Sequence, residues 1–199
     1  MSIVAVAQRI LQRPPSSSMP VRVVAIDGHG GAGKTTLADR LARALGDAPI
    51  VHTDDFASWE EPLEWWPRLI EQVLQPLAAG DPARYQRYDW IREQRAEWVE
   101  VPAEAPVVVI EGVTASRRAF RSYSSYAIWV ETPRDVCLTR GLERDGHDTA
   151  ALWEGWIAAE DVYVGREAPR RHADLVVAGA SAIDHDPDEE VVVLRDGAA

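Results

Sequence analysis

Apolar positions along the chain follow two periods that alternate. In residues 2 to 12, Ile3, Val6, Ala7, Ile10 and Leu11 recur at helical spacing, which predicts a leading helix. PPSSSMP (14 to 20) then interrupts the pattern as a linker. VRVVAI (21 to 26) is an unbroken β-branched run, as expected of a parallel strand buried on both faces. It leads directly into GHGGAGKTT (28 to 36), and from Lys34 onward Leu37, Leu41 and Leu45 form a helical stripe closed by Gly46. The short apolar runs PIVH (49 to 52), PVVVI (106 to 110), YAIWV (126 to 130) and DLVV (174 to 177) read as further strands, with helical patterns between them. The alternation predicts an α/β fold with a five-stranded parallel sheet and helices on both faces. VVVL (191 to 194) is a candidate extra edge strand. Residues 56 to 104 exceed what a crossover needs and hold most of the tryptophan, which marks a specialised insertion.

Length changes this picture little: 199 residues suit one domain with a substantial core. Hydrophobic residues at 46% and charged residues at 27% are globular proportions, and no apolar run approaches the roughly 20 residues of a membrane span. The N-terminus has no basic segment ahead of its apolar run, which argues against a secretory signal. A single cysteine, Cys137, excludes an internal disulfide framework and fits a reducing cytoplasm. Its helical setting reads as a small core residue. The net charge of −11 argues against nonspecific nucleic-acid binding, and the acidic stretch DHDPDEE (184 to 190) reads as a solvated charge run. A homo-oligomer is left open. One count carries more weight: 20 of the 21 basic residues are arginine, and the only lysine is Lys34.

That lysine completes G-x-x-x-x-G-K-[ST]. In such a loop bare glycines turn backbone N–H groups toward phosphate oxygens, the lysine reaches the outer phosphates and the hydroxyl binds Mg²⁺. Here Gly28, His29, Gly30, Gly31, Ala32, Gly33, Lys34, Thr35 and Thr36 form the loop, so a nucleoside triphosphate is expected on it. Asp54 or Asp55, at the end of the second strand, would face the loop. A carboxylate there can take the proton of an attacking hydroxyl; the blander reading is a helix cap. Glu111 ends the third predicted strand, where an acid can hold an Mg²⁺-bound water or pair with an arginine. Arg140 and Arg144 share one helix face and can close over the phosphates, or belong to an exposed salt-bridged helix with Asp145. Trp59, Trp65, Trp66, Tyr85, Tyr88 and Trp90 can stack on a base or close over a small substrate, although Trp65 and Trp66 read better as helix core.

Taken together these residues resemble the P-loop kinases that include uridine kinase, phosphoribulokinase and bacterial pantothenate kinase. The likeness runs from Val21 to Gly179. It rests on IDGHGGAGKTTLA, on Asp54 to Phe56 as D-x-F, on Tyr88, Asp89 and Trp90 with Arg95 following, on Glu111 and Gly112, on Arg140, Arg144 and Asp145, and on ADLVV with Gly179. The resemblance implies a P-loop NTPase fold using ATP and Mg²⁺, with Asp54 as general base. Tyr88, Trp90 and Arg95 would line the acceptor pocket, and the arginines of the lid would touch the phosphates. Glu93 stands where uridine kinases have a histidine, and DGHDTAALW follows Arg144 in place of an arginine-glycine-arginine extension.

The expectation is therefore one kinase domain over 1 to 199. It has a leading helix and linker to residue 20, an acceptor-binding insertion over 56 to 104 and a lid over 140 to 165. The acceptor is a small nucleoside-like molecule, uridine or cytidine first. Pantothenate or another small alcohol, a mononucleotide gripped by Arg84, Arg87, Arg92 and Arg95, and a non-catalytic ATP-binding or regulatory NTPase are the competing readings. No asparagine-lysine-x-aspartate guanine motif is present.

Overall fold

Ser2 caps the first helix, α1 (Ile3–Gln12), by accepting the amide of Ala5. The helix buries Ile3, Val6, Ala7 and Ile10, while Leu11 stays at the surface. The computed structural model describes residues 1–58 and 60–197, so Trp59 lies outside the described residues. After the linker come β1 (Arg22–Gly28), the glycine loop, α2 (Lys34–Ala44) and β2 (Ile50–His52). The insertion holds α3 (Trp66–Leu69), a π turn (Ile70–Leu74), α4 (Gln75–Ala79) and the strands β3 (Ala83–Asp89) and β4 (Gln94–Val101). The chain returns through β5 (Val107–Glu111), β6 (Tyr126–Glu131), α5 (Arg134–Asp145), α6 (Ala150–Glu167), α7 (Pro169–His172), β7 (Leu175–Ala178) and β8 (Val193–Asp196).

The main sheet has the order β2-β5-β1-β6-β7-β8, six strands where five were expected. The sixth, β8, pairs antiparallel with β7. It begins two residues later than the apolar run suggested, because Val191 is buried in the core ahead of the strand. All other pairings are parallel, and their register aligns the strand ends: Ile26 lies opposite Glu111 in β5, and His52 opposite the same Glu111. The candidate side chains His52 and Glu111 thus lie at one carboxyl edge of the sheet.

Alternate residues of β1 serve two cores. Val24 and Ile26 pack with α1 and α2 residues such as Ile10, Leu37 and Leu41. Val23 and Ala25 face the other side, where Trp65, Leu69, Val73 and Leu77 of the insertion join Val108 and Ile110. Trp65 is buried at 2% exposure and Trp66 packs against the same cluster, both as helix core. The π turn ends two residues before Pro76, whose missing N–H cannot bond back in an α ladder. Gln75 donates to Ile70 across the widened turn.

β3 and β4 form a separate antiparallel hairpin that the strand reading did not anticipate. A register shift between Gln86 and Tyr88 lets Ala83, Tyr85 and Tyr88 all turn inward. Simple alternation is thereby broken. The predicted acidic run over 184 to 190 is mostly exposed, yet Glu189 accepts the amide of Ile3, tying the run to α1. Among the described residues, no helix is long and apolar enough to cross a membrane.

Candidate active site

Gly31 and Gly33 adopt left-handed conformations, at φ +78° and +96°. A Cβ at Gly31 would lie 2.3 Å from the carbonyl oxygen of Cys137 in α5, so only glycine fits between loop and helix. The ammonium of Lys34 curls back to donate to the carbonyl of His29 at 2.8 Å. Gly30, Gly31, Gly33, Lys34, Thr35 and Thr36 line a cavity of about 830 Å³. Gly28, His29 and Ala32 complete the loop and do not line this cavity. The sequence assigned all nine to cofactor binding, and six of them line the cavity.

Across the cavity stand Asp54 and Glu111. Glu111, 4% exposed, accepts Thr35 Oγ1 at 3.2 Å and His52 Nδ1 at 2.5 Å through the same oxygen, Oε1. Its second oxygen, Oε2, is buried and has no hydrogen-bond partner among the described residues. Glu111 raises the pKa of His52, since the neighbouring carboxylate favours the imidazolium. Asp54 is open to the cavity but crowded by protein around it. Desolvation and then the charge of Glu111 push its carboxyl above the usual range, while Lys34 and Arg144 draw it down. Asp55 accepts the hydroxyl of Tyr85 at 3.0 Å and does not line the cavity. Of the two candidates for the base, only Asp54 faces the loop.

The three acceptor-side residues separate. Trp90 reaches the cavity wall, with its indole donating to the Asp54 carbonyl at 3.2 Å. Tyr88 packs edge-on behind Trp90 at 5.2 Å. Arg95 donates to the carbonyls of Asp55 and Phe56 at 3.0 and 3.2 Å, fastening the hairpin to the turn that carries Asp54. Neither Tyr88 nor Arg95, both expected in the acceptor pocket, lines this cavity: Tyr88 packs against Trp90, and Arg95 is hydrogen-bonded to backbone carbonyls. Arg84, Arg87 and Arg92 pair with Glu100, Glu97 and Asp89.

Arg140 and Arg144, on α5, both line the cavity. Arg140 donates to the Gly179 carbonyl at 3.1 Å. Arg144 grips Asp145 with two hydrogen bonds of 2.7 and 2.8 Å and lies over the Trp153 ring. Helix α6 adds Leu152, Trp153 and Trp156 to the wall. A second cavity of about 420 Å³ shares Gly31, Gly33, Thr36 and Arg140 with the first and extends past Gly179, His185 and Glu190.

Two buried acids beside the loop escaped the sequence reading. Asp27, fully buried just before the loop, accepts the amides of Gly28, Thr114 and Ser116 and the hydroxyl of Tyr163. Burial pushes its carboxyl up despite those bonds. An acid ending a buried strand was the available signal, the same one that drew attention to Glu111. Glu160 lies on the stripe Trp153, Trp156, Glu160 and Tyr163 of α6, where an acid on a largely aromatic face was the signal.

A family model described as the phosphoribulokinase/uridine kinase family matches residues 66–183. A uridine kinase of Halobacterium salinarum is 27% identical over 194 residues, covering 83% of this chain and 84% of that protein. A possible uridine kinase from Bacillus stearothermophilus superimposes with a TM-score of 0.67 at 24% identity, over 87% of this chain and 96% of that one. A putative fructose transport system kinase from Silicibacter gives 0.63 at 22% identity, over 87% and 95%. These two likenesses show a shared fold.

Proposed function

Because the chain belongs to the phosphoribulokinase/uridine kinase family, we propose that it transfers the γ-phosphoryl group of ATP to a hydroxyl of an uncharged, nucleoside-like acceptor. One observation carries the reading: Lys34, Thr35, Asp54, Glu111 and Arg144 converge on a single cavity whose wall also includes Trp90, Trp153 and Trp156. Triphosphate on the loop amides would lie against Lys34, and the second cavity offers room for the nucleobase of the donor. Asp54 would accept the proton of the acceptor hydroxyl, and a raised pKa makes it a stronger base once ionised.

The residues also suit a divalent cation. Glu111 leaves one buried oxygen without a partner among the described residues, beside the Thr35 hydroxyl, and Mg²⁺ characteristically takes one or two protein oxygens together with phosphate and water. When bound it would neutralise charge on the outer phosphates. Thr35 and Glu111 would hold it, and Arg140 and Arg144 would face the same phosphates from the lid.

The arginines of the insertion weigh against a mononucleotide acceptor, since Arg84, Arg87 and Arg92 pair with acids and Arg95 with backbone. A stacked, neutral ring suits the tryptophan wall better, and uridine or cytidine leads. A cytoplasmic setting fits the buried free Cys137. The test is acceptor-dependent ADP release with uridine, cytidine, their monophosphates and pantothenate. Release with a nucleoside alone is expected. Preference for a monophosphate or pantothenate would overturn the acceptor assignment, and no release with any of them would point to a binding module.

A further inference from the structure

Glu160 sits midway along α6 at 1% exposure, and its carboxylate is filled to capacity. Oε1 accepts the amide of Gly30 at 2.7 Å and the indole N–H of Trp156 at 2.8 Å. Oε2 accepts Arg134 Nη1 at 2.6 Å and meets His29 Nδ1 at 3.1 Å. An ionised carboxylate offers about four lone-pair positions, and each has a partner here. The partners come from the phosphate loop, the start of α5 and the preceding turn of α6. Burial alone would raise this carboxyl, but the hydrogen bonds from His29, Gly30 and Arg134 hold it below its usual value.

The two donors to Oε1 come from different elements that line the cavity. Gly30 is part of the phosphate loop, while Trp156 packs with Trp90 of the proposed acceptor wall, whose ring lies 6.2 Å away at an angle of 67°. A single oxygen atom therefore joins the loop directly to that wall. A packing role would be met by an apolar side chain in line with Trp153 and Tyr163. It would not require a buried charge whose desolvation must be offset by four bonds.

We propose that Glu160 is a positioning residue for phosphoryl transfer, holding the Trp156 indole and the Gly30 amide in one register so that the acceptor is presented to the phosphate loop at a fixed offset. This rests on the acceptor site described under the proposed function. Displacement of a reactant by about 1 Å can cost on the order of a hundredfold in rate, so a tie across the cavity has a direct effect on turnover.

The test uses Glu160→Gln, nearly isosteric, and Trp156→Phe, which keeps an aromatic ring but removes the indole N–H. In Glu160→Gln an amide NH₂ replaces one oxygen and confronts two donors. The kcat for acceptor phosphorylation is expected to fall by on the order of a hundredfold and the acceptor KM to rise, while the ATP KM moves less than about threefold, and the double variant should be no worse than the poorer single one, as for residues acting through one contact. Multiplying effects in the double variant, or equal rises in both KM values, would overturn the proposal. An independent readout is the Trp156 indole N–H resonance, assigned by its loss in Trp156→Phe. It should shift in Glu160→Gln, and an unmoved resonance would also overturn it. If the unaltered protein phosphorylates no acceptor, the functional reading fails, while the resonance still decides whether Glu160 holds the indole.

Discussion

The hydroxyl of Tyr163 donates to the buried carboxylate of Asp27 at 2.6 Å, joining the middle of α6 to the strand that ends in the phosphate loop. The same carboxylate holds the amides of Thr114 and Ser116, so the segment after Glu111 is ordered by it as well. Removing the hydroxyl leaves Asp27 Oδ2 with the Ser116 amide alone. Tyr163→Phe should therefore destabilise the protein by about 1–3 kcal/mol, the cost of an under-satisfied buried acceptor. A lowered urea midpoint with an unchanged slope would register this; an unchanged midpoint would mean that water replaces the lost donor.

Asp54, the proposed base, carries a cost in stability. Its folded pKa is raised, so the native chain holds this proton more tightly than the unfolded chain, and its contribution to stability falls as pH rises through that window. Asp54→Asn should reduce kcat by about 10²–10⁴-fold, the range for losing a general base. The variant should also be more stable than the parent, by an amount that grows as pH rises from the usual carboxylate range. Thermal melts across pH, paired with acceptor-dependent ADP release, check both halves. Full activity in the variant would remove Asp54 from the role of base.

The main sheet and phosphate loop were legible because their signals are local. An unbroken apolar run followed by glycines and a lysine needs no knowledge of distant partners. Asp54 and Glu111 were legible for a related reason, since strand ends in a parallel sheet converge at one edge. The hairpin was hidden because its bulge spaces the inward positions Tyr85 and Tyr88 by three, which breaks the strand alternation that Ala83 and Tyr85 begin. Arg95 resembled a pocket residue because sequence cannot show that backbone carbonyls already occupy its donors. Asp27 and Glu160 depend on contacts across 130 residues or more, to Tyr163 and to Gly30 or His29. In both cases the visible sign was an acid among buried neighbours, while its donors were set by tertiary structure.

The close approach of Gly31 to α5 makes a sharp steric test of the loop. Gly31→Ala would set a methyl group against the Cys137 carbonyl at a positive φ, forcing either loop or helix to move. Backbone strain of about 1–3 kcal/mol is expected, together with an ATP affinity lowered at least about tenfold, because the loop amides must share one geometry to hold phosphate. Calorimetric titration with ATP and a thermal melt measure the two effects. Unchanged affinity would show that the loop can retreat from α5 without losing its phosphate geometry.

Arg144 links α5 to the proposed base, Asp54. It lies over Trp153, grips Asp145 and lowers the pKa of Asp54 through its charge. Arg144→Ala should reduce kcat by on the order of 10²–10³-fold, comparable to removing one preorganised donor from a transition-state site. It should also move the acid limb of the kcat/KM profile to higher pH. The sign follows from the charge: a nearby cation favours the ionised carboxylate, so its removal raises the pKa of Asp54 further, and a higher pH is needed to ionise the base. Arg144→Lys keeps a positive charge but not the two-pronged grip on Asp145, and a lysine there is free to take another position. It should hold the acid limb near its original pH while recovering only part of the rate. If the limb fails to move in Arg144→Ala while kcat falls, the arginine acts on the phosphates alone and its charge does not tune Asp54.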